Sequence, residues 1–383
     1  MDAVLSAAAV VTPRRVLRPG WVRVAGGRIA QVGEGAPGPT GMPSALVTEL
    51  GATVLVPGFV DMHCHGGGGA SFGSESKASL AAARAHRRHG TTTLLASLVS
   101  APRERLLREV AALGELVADG ELAGIHLEGP WLSPARCGAH DPAQLRPPTR
   151  EELDGLLASP HVRMVTLAPE LDGGLDAVAR IAGAGAVAAV GHTDADGATV
   201  MAAVDAGARQ ATHLFNAMRP LRHRDPGPVP ALLSRPEVVL ELIVDGVHLD
   251  PAIPAWLAAT VEPGRVVAVT DAMAGAARGD GRYRLGGLEV TVSGGVARVA
   301  GTTTIAGSTA TADALFRGVA GRAPSDADLL RAVAWTAGTP SRALGRDDVG
   351  ALAPGRRADL VALDAGTLSV RRAWRGGEPV DPA

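Results

Sequence analysis

The sequence predicts a (β/α)8 barrel of the TIM type, with a small β-sandwich domain assembled from both chain termini. Three observations carry that reading. Short apolar segments alternate with helical stretches through residues 57–344, the repeat expected of a parallel barrel. The flanking stretches, 1–56 and 345–383, read as the two parts of the β domain. Histidines and carboxylates recur at the C-terminal ends of the apolar segments, where such barrels build their sites. A doubly wound open sheet is the alternative that strand counting leaves open, but no GxGxxG follows the first segment.

In the N-terminal part, Trp21–Val24 and Arg28–Val32 flank Ala25-Gly26-Gly27 and form a hairpin. Residues 34–46 are rich in Gly and Pro and read as a loop. The barrel strands are expected at 59–64, 91–99, 122–128, 162–168, 187–192, 210–215, 238–245 and 265–271. They are short, apolar and free of internal proline, as strands buried on both faces should be. Helices lie between most of them, among them Lys77–His89, Arg103–Leu116 and Glu151–Ala158. A β hairpin spans Tyr283–Val299, and helices follow at about 309–320 and 326–337. Ala358–Asp364 and Thr367–Trp374 return to strand and pair with the N-terminal part.

Composition narrows the function. Of 383 residues, 46% are hydrophobic but only 3% aromatic, so a large core is built mostly from Ala, Val and Leu. A net charge of -2 gives no reason to expect nucleic acid or an anionic membrane as partner. No apolar run reaches the roughly 18 residues of a membrane span. The start, Met1-Asp2-Ala3-Val4, lacks the basic opening of a signal peptide. Two cysteines, Cys64 and Cys137, make no disulfide framework, so a cytoplasmic protein is expected.

The strand ends carry the chemistry. His63 and His65 alternate along the first strand and so share a face, beside the side-chain-free loop Gly66–Gly69. Two neutral imidazoles so placed can hold a divalent cation. Later strand ends add Glu128, His192, His213, Asp245 with His248, and Asp271. Seven of the 11 histidines lie at these ends or in the loops that follow. Each alone could be a satisfied core histidine or a helix cap; the set points to a metal site. His and carboxylate donors suit Zn2+, and Fe2+, Mn2+ or Co2+ would fit similar sites. Asp271 is the candidate general base. His126, two residues before Glu128 and deeper on the same face, reads as a support for the ligands. A carbamylated-lysine bridge is excluded, because Lys77, the single lysine, falls in the first predicted helix. Cys64 points away from its histidine neighbours and reads as a small buried hydrophobe. Cys137 reads as a loop thiol.

The stretches Pro57–Gly66, His126–Trp131, Gly138–His140, Gly191–Thr193, Thr212–Met218, Arg224–Gly227, Asp245–His248, Thr270–Ala272, Ile305–Thr309 and Pro354–Leu360 resemble the amidohydrolase superfamily. His-Leu-Phe-Asn-Ala-Met and Glu-Gly-Pro-Trp are its more specific parts, and they resemble the N-acetylglucosamine-6-phosphate deacetylases within it. The resemblance implies hydrolysis of the acetamide of N-acetyl-D-glucosamine 6-phosphate, giving glucosamine 6-phosphate and acetate in amino-sugar catabolism and cell-wall recycling. It implies a principal metal on Glu128, His192 and His213, a second on His63 and His65 as in members that keep both histidines (others run on one metal), and no organic cofactor. It makes Asp271 the proton acceptor and donor, and His140 the group that polarises the acetamide carbonyl. It assigns substrate binding to Ala139, His140, Asn216, Ala217, His248, Ile305, Ala306 and Gly307. It also implies a homodimer in which Arg224 reaches the phosphate of the neighbouring subunit. The rival expectations are a deacetylase for another N-acetylhexosamine and a catalytically silent barrel serving as a binding scaffold.

Overall fold

The structure is a computed structural model that describes residues 2–36, 47–73 and 75–380. Most of the Gly/Pro-rich stretch expected as a loop lies outside them. The chain divides into two compact units, one of 1–61, 85–93 and 311–383, the other of 62–84 and 94–310.

In the first unit the chain termini interleave in two sheets. One is four-stranded, in the order Arg28–Glu34, Gly20–Ala25, Ala3–Ala7, Val47–Glu49. The other is six-stranded, and in it Leu360–Asp364 pairs antiparallel with Thr53–Pro57. The hairpin of the first sheet turns at Gly26 and Gly27, with φ of 55° and 73°, a left-handed pair that side chains disfavour. Along Gly20–Ala25 buried and half-buried residues alternate, so Val22 and Val24 point inward. They share a core with Leu5 of the same sheet and with Leu55, Leu360 and Trp374 of the other.

The parallel sheet has eight strands: Phe59–Asp61, Thr91–Leu98, Gly124–Glu128, Val162–Leu167, Val187–Val190, Gln210–Ala211, Val239–Leu242 and Val266–Ala268. Each is the neighbour of the next in that order. These are the eight expected strands, in a near-closed barrel. A bridge between Cys64 and Ala272 joins the continuations of the first and last strands, and a second, between Ala272 and Ser308, ties in the segment that follows the insert described below. His65 N–H donates to Ala272 O at 2.7 Å, and Asp271 N–H to His63 O at 2.8 Å. Closure thus places the first and last strand ends side by side.

The sixth strand is shorter than the expected 210–215. Its ladder stops at Ala211, and His213, Phe215 and Ala217 adopt left-handed φ of 27°, 79° and 49°. The segment turns out of the sheet instead of extending it, which brings His213 and Ala217 into one loop. After the last barrel strand comes a three-stranded antiparallel insert, Gly281–Leu285, Leu288–Ser293 and Val296–Val299, with a core of its own around Val290, Val292 and Ala306. Among the described residues, no helix is long and apolar enough to cross a membrane.

Candidate active site

A cavity of about 330 Å³ opens at the C-terminal strand ends. Its walls include His65, Glu128, Ala139, His140, His192, His213, Asn216, Ala217, His248, Asp271, Ile305 and Gly307. All belong to the second unit. His63 and Ala306 lie just beneath, with no exposed surface.

Glu128, the last residue of the third strand, is the hub. Its Oε1 lies 3.0 Å from His213 Nε2, 3.2 Å from His192 Nε2 and 3.3 Å from His63 Nε2. Its Oε2 lies 3.1 Å from His65 Nε2 and 3.2 Å from His140 Nε2. The ring nitrogens also crowd one another: Nε2 of His63 and His65 are 3.1 Å apart, as are those of His192 and His213. Asp271 Oδ1 faces the first pair at 3.4 and 3.3 Å.

Two groups result, His63–His65–Glu128 and Glu128–His192–His213, each with its donor atoms within 4.8 Å of one another. Convergent lone pairs of this kind repel unless a proton or a cation sits between them. Glu128 joins both groups and could bridge two ions. The donor chemistry therefore fits divalent metal.

Electrostatics lead to the same point. Burial acts to lower the His65 pKa, but Asp271 and Glu128 overcome it and push it up to about 9. His63 is likewise raised, against burial, by Glu128 and Asp271. Burial opposes ionisation of Glu128 and Asp271, yet His63 and the other histidines hold both carboxyls well below their usual range. The two carboxylates demand positive charge, which the protons of His63 and His65 supply and a cation would replace.

His140 differs. Ser100 N–H donates to its Nδ1 at 3.2 Å, and Ser100 Oγ lies 2.9 Å from the same nitrogen. An accepting Nδ1 leaves the proton on Nε2, which faces the cavity. Burial, only partly offset by Glu128, lowers its pKa to about 4, so the ring is neutral. His126 stands behind the ligands, 2.9 Å from Ser97 Oγ and 2.8 Å from Thr166 Oγ1, with its ring edge-on to His63. Burial and His63 lower its pKa. His248 Nδ1 lies 2.8 Å from Asp245 Oδ2; burial acts against its charge, but Asp245 raises its pKa.

The backbone at the site is unusual. Seven described non-glycine residues have positive φ, and five of them are His192, His213, Phe215, Ala217 and Asp271. Each such residue costs on the order of 1–3 kcal/mol and persists only where its surroundings enforce it. Gly307, at φ 63°, packs over Asp271, where an added Cβ would stand 2.8 Å from Asp271 O.

The structure keeps other residues apart from the site. Arg224 is exposed on the turn between Arg222 and Asp225 and does not line the cavity. Lys77 is exposed on the helix Ser76–Arg88. Cys64 is fully buried and Cys137 half-buried, and neither forms a disulfide. Sequence reading missed Val99, Leu285, Thr303 and Thr304 in the cavity wall, Ser100 behind His140, and Glu241 behind His63. Glu241 had a signal, a lone carboxylate in the apolar run Val238–Val244. Ser100 had none.

Residues 54–380 match the model of the amidohydrolase family. The chain belongs to the amidohydrolase family. Its barrel and β domain superpose on the N-acetyl-D-glucosamine-6-phosphate deacetylase of Mycobacterium smegmatis with a TM-score of 0.94 at 49% identity, covering 99% of both chains. That structure is of an aspartate-to-alanine variant in complex with N-acetyl-D-glucosamine 6-phosphate. The N-acetylglucosamine-6-phosphate deacetylase of Thermotoga maritima superposes with a TM-score of 0.85 at 30% identity, over 99% of this chain and 100% of that one. Among curated relatives, N-acetylgalactosamine-6-phosphate deacetylase of Escherichia coli O157:H7 is 37% identical over 96% of this amidohydrolase and 98% of its own length. The N-acetylglucosamine-6-phosphate deacetylase of Bacillus subtilis is 34% identical over 78% of each.

Proposed function

We propose that this amidohydrolase removes the acetyl group of N-acetyl-D-glucosamine 6-phosphate, giving D-glucosamine 6-phosphate and acetate. The observation that carries the reading is the convergence of His63, His65, His192, His213 and Asp271 around Glu128 at the barrel mouth. The similarity to the M. smegmatis enzyme supports the substrate. A silent scaffold would have no need of buried, mutually repelling donors held on strained backbone.

Glu128, His192 and His213 would hold the principal metal, Zn2+ in this proposal, and His63 and His65 would hold a second. A divalent cation in such a site polarises a carbonyl and acidifies water. The remaining work falls to side chains of this chain. Asp271, ionised at neutral pH, takes a proton from the attacking water as its oxygen bonds to the acetyl carbon. His140 donates its Nε2–H to the carbonyl oxygen, which gains charge in the transition state. Asp271 then returns the proton to the nitrogen as the C–N bond breaks. Ala139, Asn216, Ala217, His248 and the backbone of Ile305, Ala306 and Gly307 position the sugar. The phosphate is met by the partner subunit's Arg224 in a cytoplasmic homodimer, since arginine forks suit phosphate.

The E. coli O157:H7 relative supports a second reading, the galactosamine epimer as substrate. The test is kcat/KM for both N-acetylhexosamine 6-phosphates and for the unphosphorylated sugars, with metal-loaded and chelator-stripped enzyme. The glucosamine compound is expected to lead, and activity to vanish on stripping and return with Zn2+. Preference for the galactosamine compound would replace the substrate, and full activity of demonstrably metal-free enzyme would end the mechanism.

A further inference from the structure

The seventh barrel strand carries a carboxylate that the reaction does not use. Glu241 sits between Leu240 and Leu242 in the strand Val239–Leu242 and has no exposed surface. A carboxylate buried this deeply needs hydrogen bonds or opposite charge to compensate it. Three donors surround it. His63 Nδ1 lies 3.2 Å from Oε2, and the backbone N–H of His213 donates to the same oxygen at 3.2 Å. Gln210 Nε2 donates to Oε1.

We propose that Glu241 is a positioning residue that fixes the His63 tautomer, building the metal site of His63 and His65 and joining it to the loop that carries His213. The proposal rests on the two-metal reading above. An ionised carboxylate only accepts hydrogen bonds. In the neutral ring that a metal would bind, the contact with Nδ1 therefore keeps the ring proton there and leaves the Nε2 lone pair facing His65 Nε2 and Glu128 Oε1. A metal-bound histidine usually needs such a partner behind it, and a carboxylate there makes the ring a stronger donor. The other ligand rings are backed differently. His65 Nδ1 meets Ser97 O at 3.2 Å and His192 Nδ1 meets Arg136 O at 2.8 Å, both neutral carbonyls. His213 Nδ1 has no hydrogen-bond partner among the described residues. On His213 the same carboxylate acts through the backbone, where φ is 27° and an outside anchor is needed. One buried group thus braces a member of each donor group.

The test is calorimetric titration of stripped protein with Zn2+, checked by elemental analysis. Wild type should take up two equivalents. Glu241→Gln should weaken the second by about 10–100-fold, as loss of an outer partner of a ligand histidine does, and move the first by no more than a few-fold. In a His63→Ala background Glu241→Gln should change the remaining equivalent little, which separates positioning from general destabilisation. Should Glu241→Gln not fold, Glu241→Asp keeps the carboxyl group, withdraws it from His63, and should also weaken the second equivalent. Two equivalents bound with wild-type affinity by the variants would overturn this assignment alone. The same loss with and without His63 would make Glu241 merely structural. A single equivalent in wild type would overturn the two-site reading and this assignment with it.

Discussion

Replacing Asp271 by Asn tests the base directly. The substitution keeps size and shape, and asparagine tolerates the left-handed backbone that Asp271 adopts at φ 46°. The backbone bonds that hold the residue, from Asp271 N–H to His63 O and from Ser308 N–H to Asp271 O at 2.7 Å, do not involve the side chain. The amide nevertheless has no basic lone pair for a water proton. Loss of a general base slows turnover about 10²–10⁴-fold, equivalent to about 3–5 kcal/mol of transition-state stabilisation. Steady-state kinetics should show that loss in kcat, while thermal denaturation and bound metal stay near wild type. A kcat within a few-fold of wild type would refute the role. Loss of metal together with activity would instead make Asp271 a ligand, which its 3.3 Å approach to His65 Nε2 allows.

Metal loading should release protons. Glu128 and Asp271 raise the pKa of both His63 and His65 against burial, the latter to about 9, so metal loading near neutral pH should expel protons from these rings. Apparent affinity should therefore rise with pH through the raised pKa values, because fewer protons compete with the metal as the rings lose them. Calorimetry in buffers of different ionisation enthalpy reads the release directly; none at pH 7 would contradict the charge balance argued for the site. Arg224→Ala should weaken binding of the phosphorylated substrate by about 1.5–3 kcal/mol, the worth of a hydrogen bond to a charged group, and leave the poor unphosphorylated substrate unaffected. Mixing Arg224→Ala with Asp271→Asn chains should partly restore activity, since a mixed dimer holds one site with both residues intact. No recovery, with mixed dimers seen by mass spectrometry, would place Arg224 outside the partner's site.

Much of this could be read from residue types because barrel geometry makes the reading local. Once the apolar segments are strands, their C-terminal ends share one face of the barrel, and His63, Glu128, His192, His213 and Asp271 must meet there. What stayed hidden depends on closure. Ser100 and Glu241 earn their roles from which ring they back, and that follows from the register between strands far apart in sequence. The early end of the sixth strand was hidden for another reason. Nothing in Thr212-His213-Leu214-Phe215 disfavours extension, yet the tertiary structure imposes left-handed φ on two of its four residues.

That imposed strain bears on how the site is built. Sequence alone would not put His192, His213 and Asp271 in the left-handed region, so the fold must hold them there. The holding bonds are mostly backbone bonds. Asp271 is fixed by His63 O and by Ser308 N–H, and His213 is flanked by its own bond to Glu241 Oε2 and by Leu214 N–H donating to Glu241 O at 2.8 Å. Side chains that carry chemistry are therefore positioned by groups other than themselves. The site can keep its shape when a proton, a metal or a substitution changes the charge of a ligand, and preorganised donors of this kind need no rearrangement as the reaction proceeds.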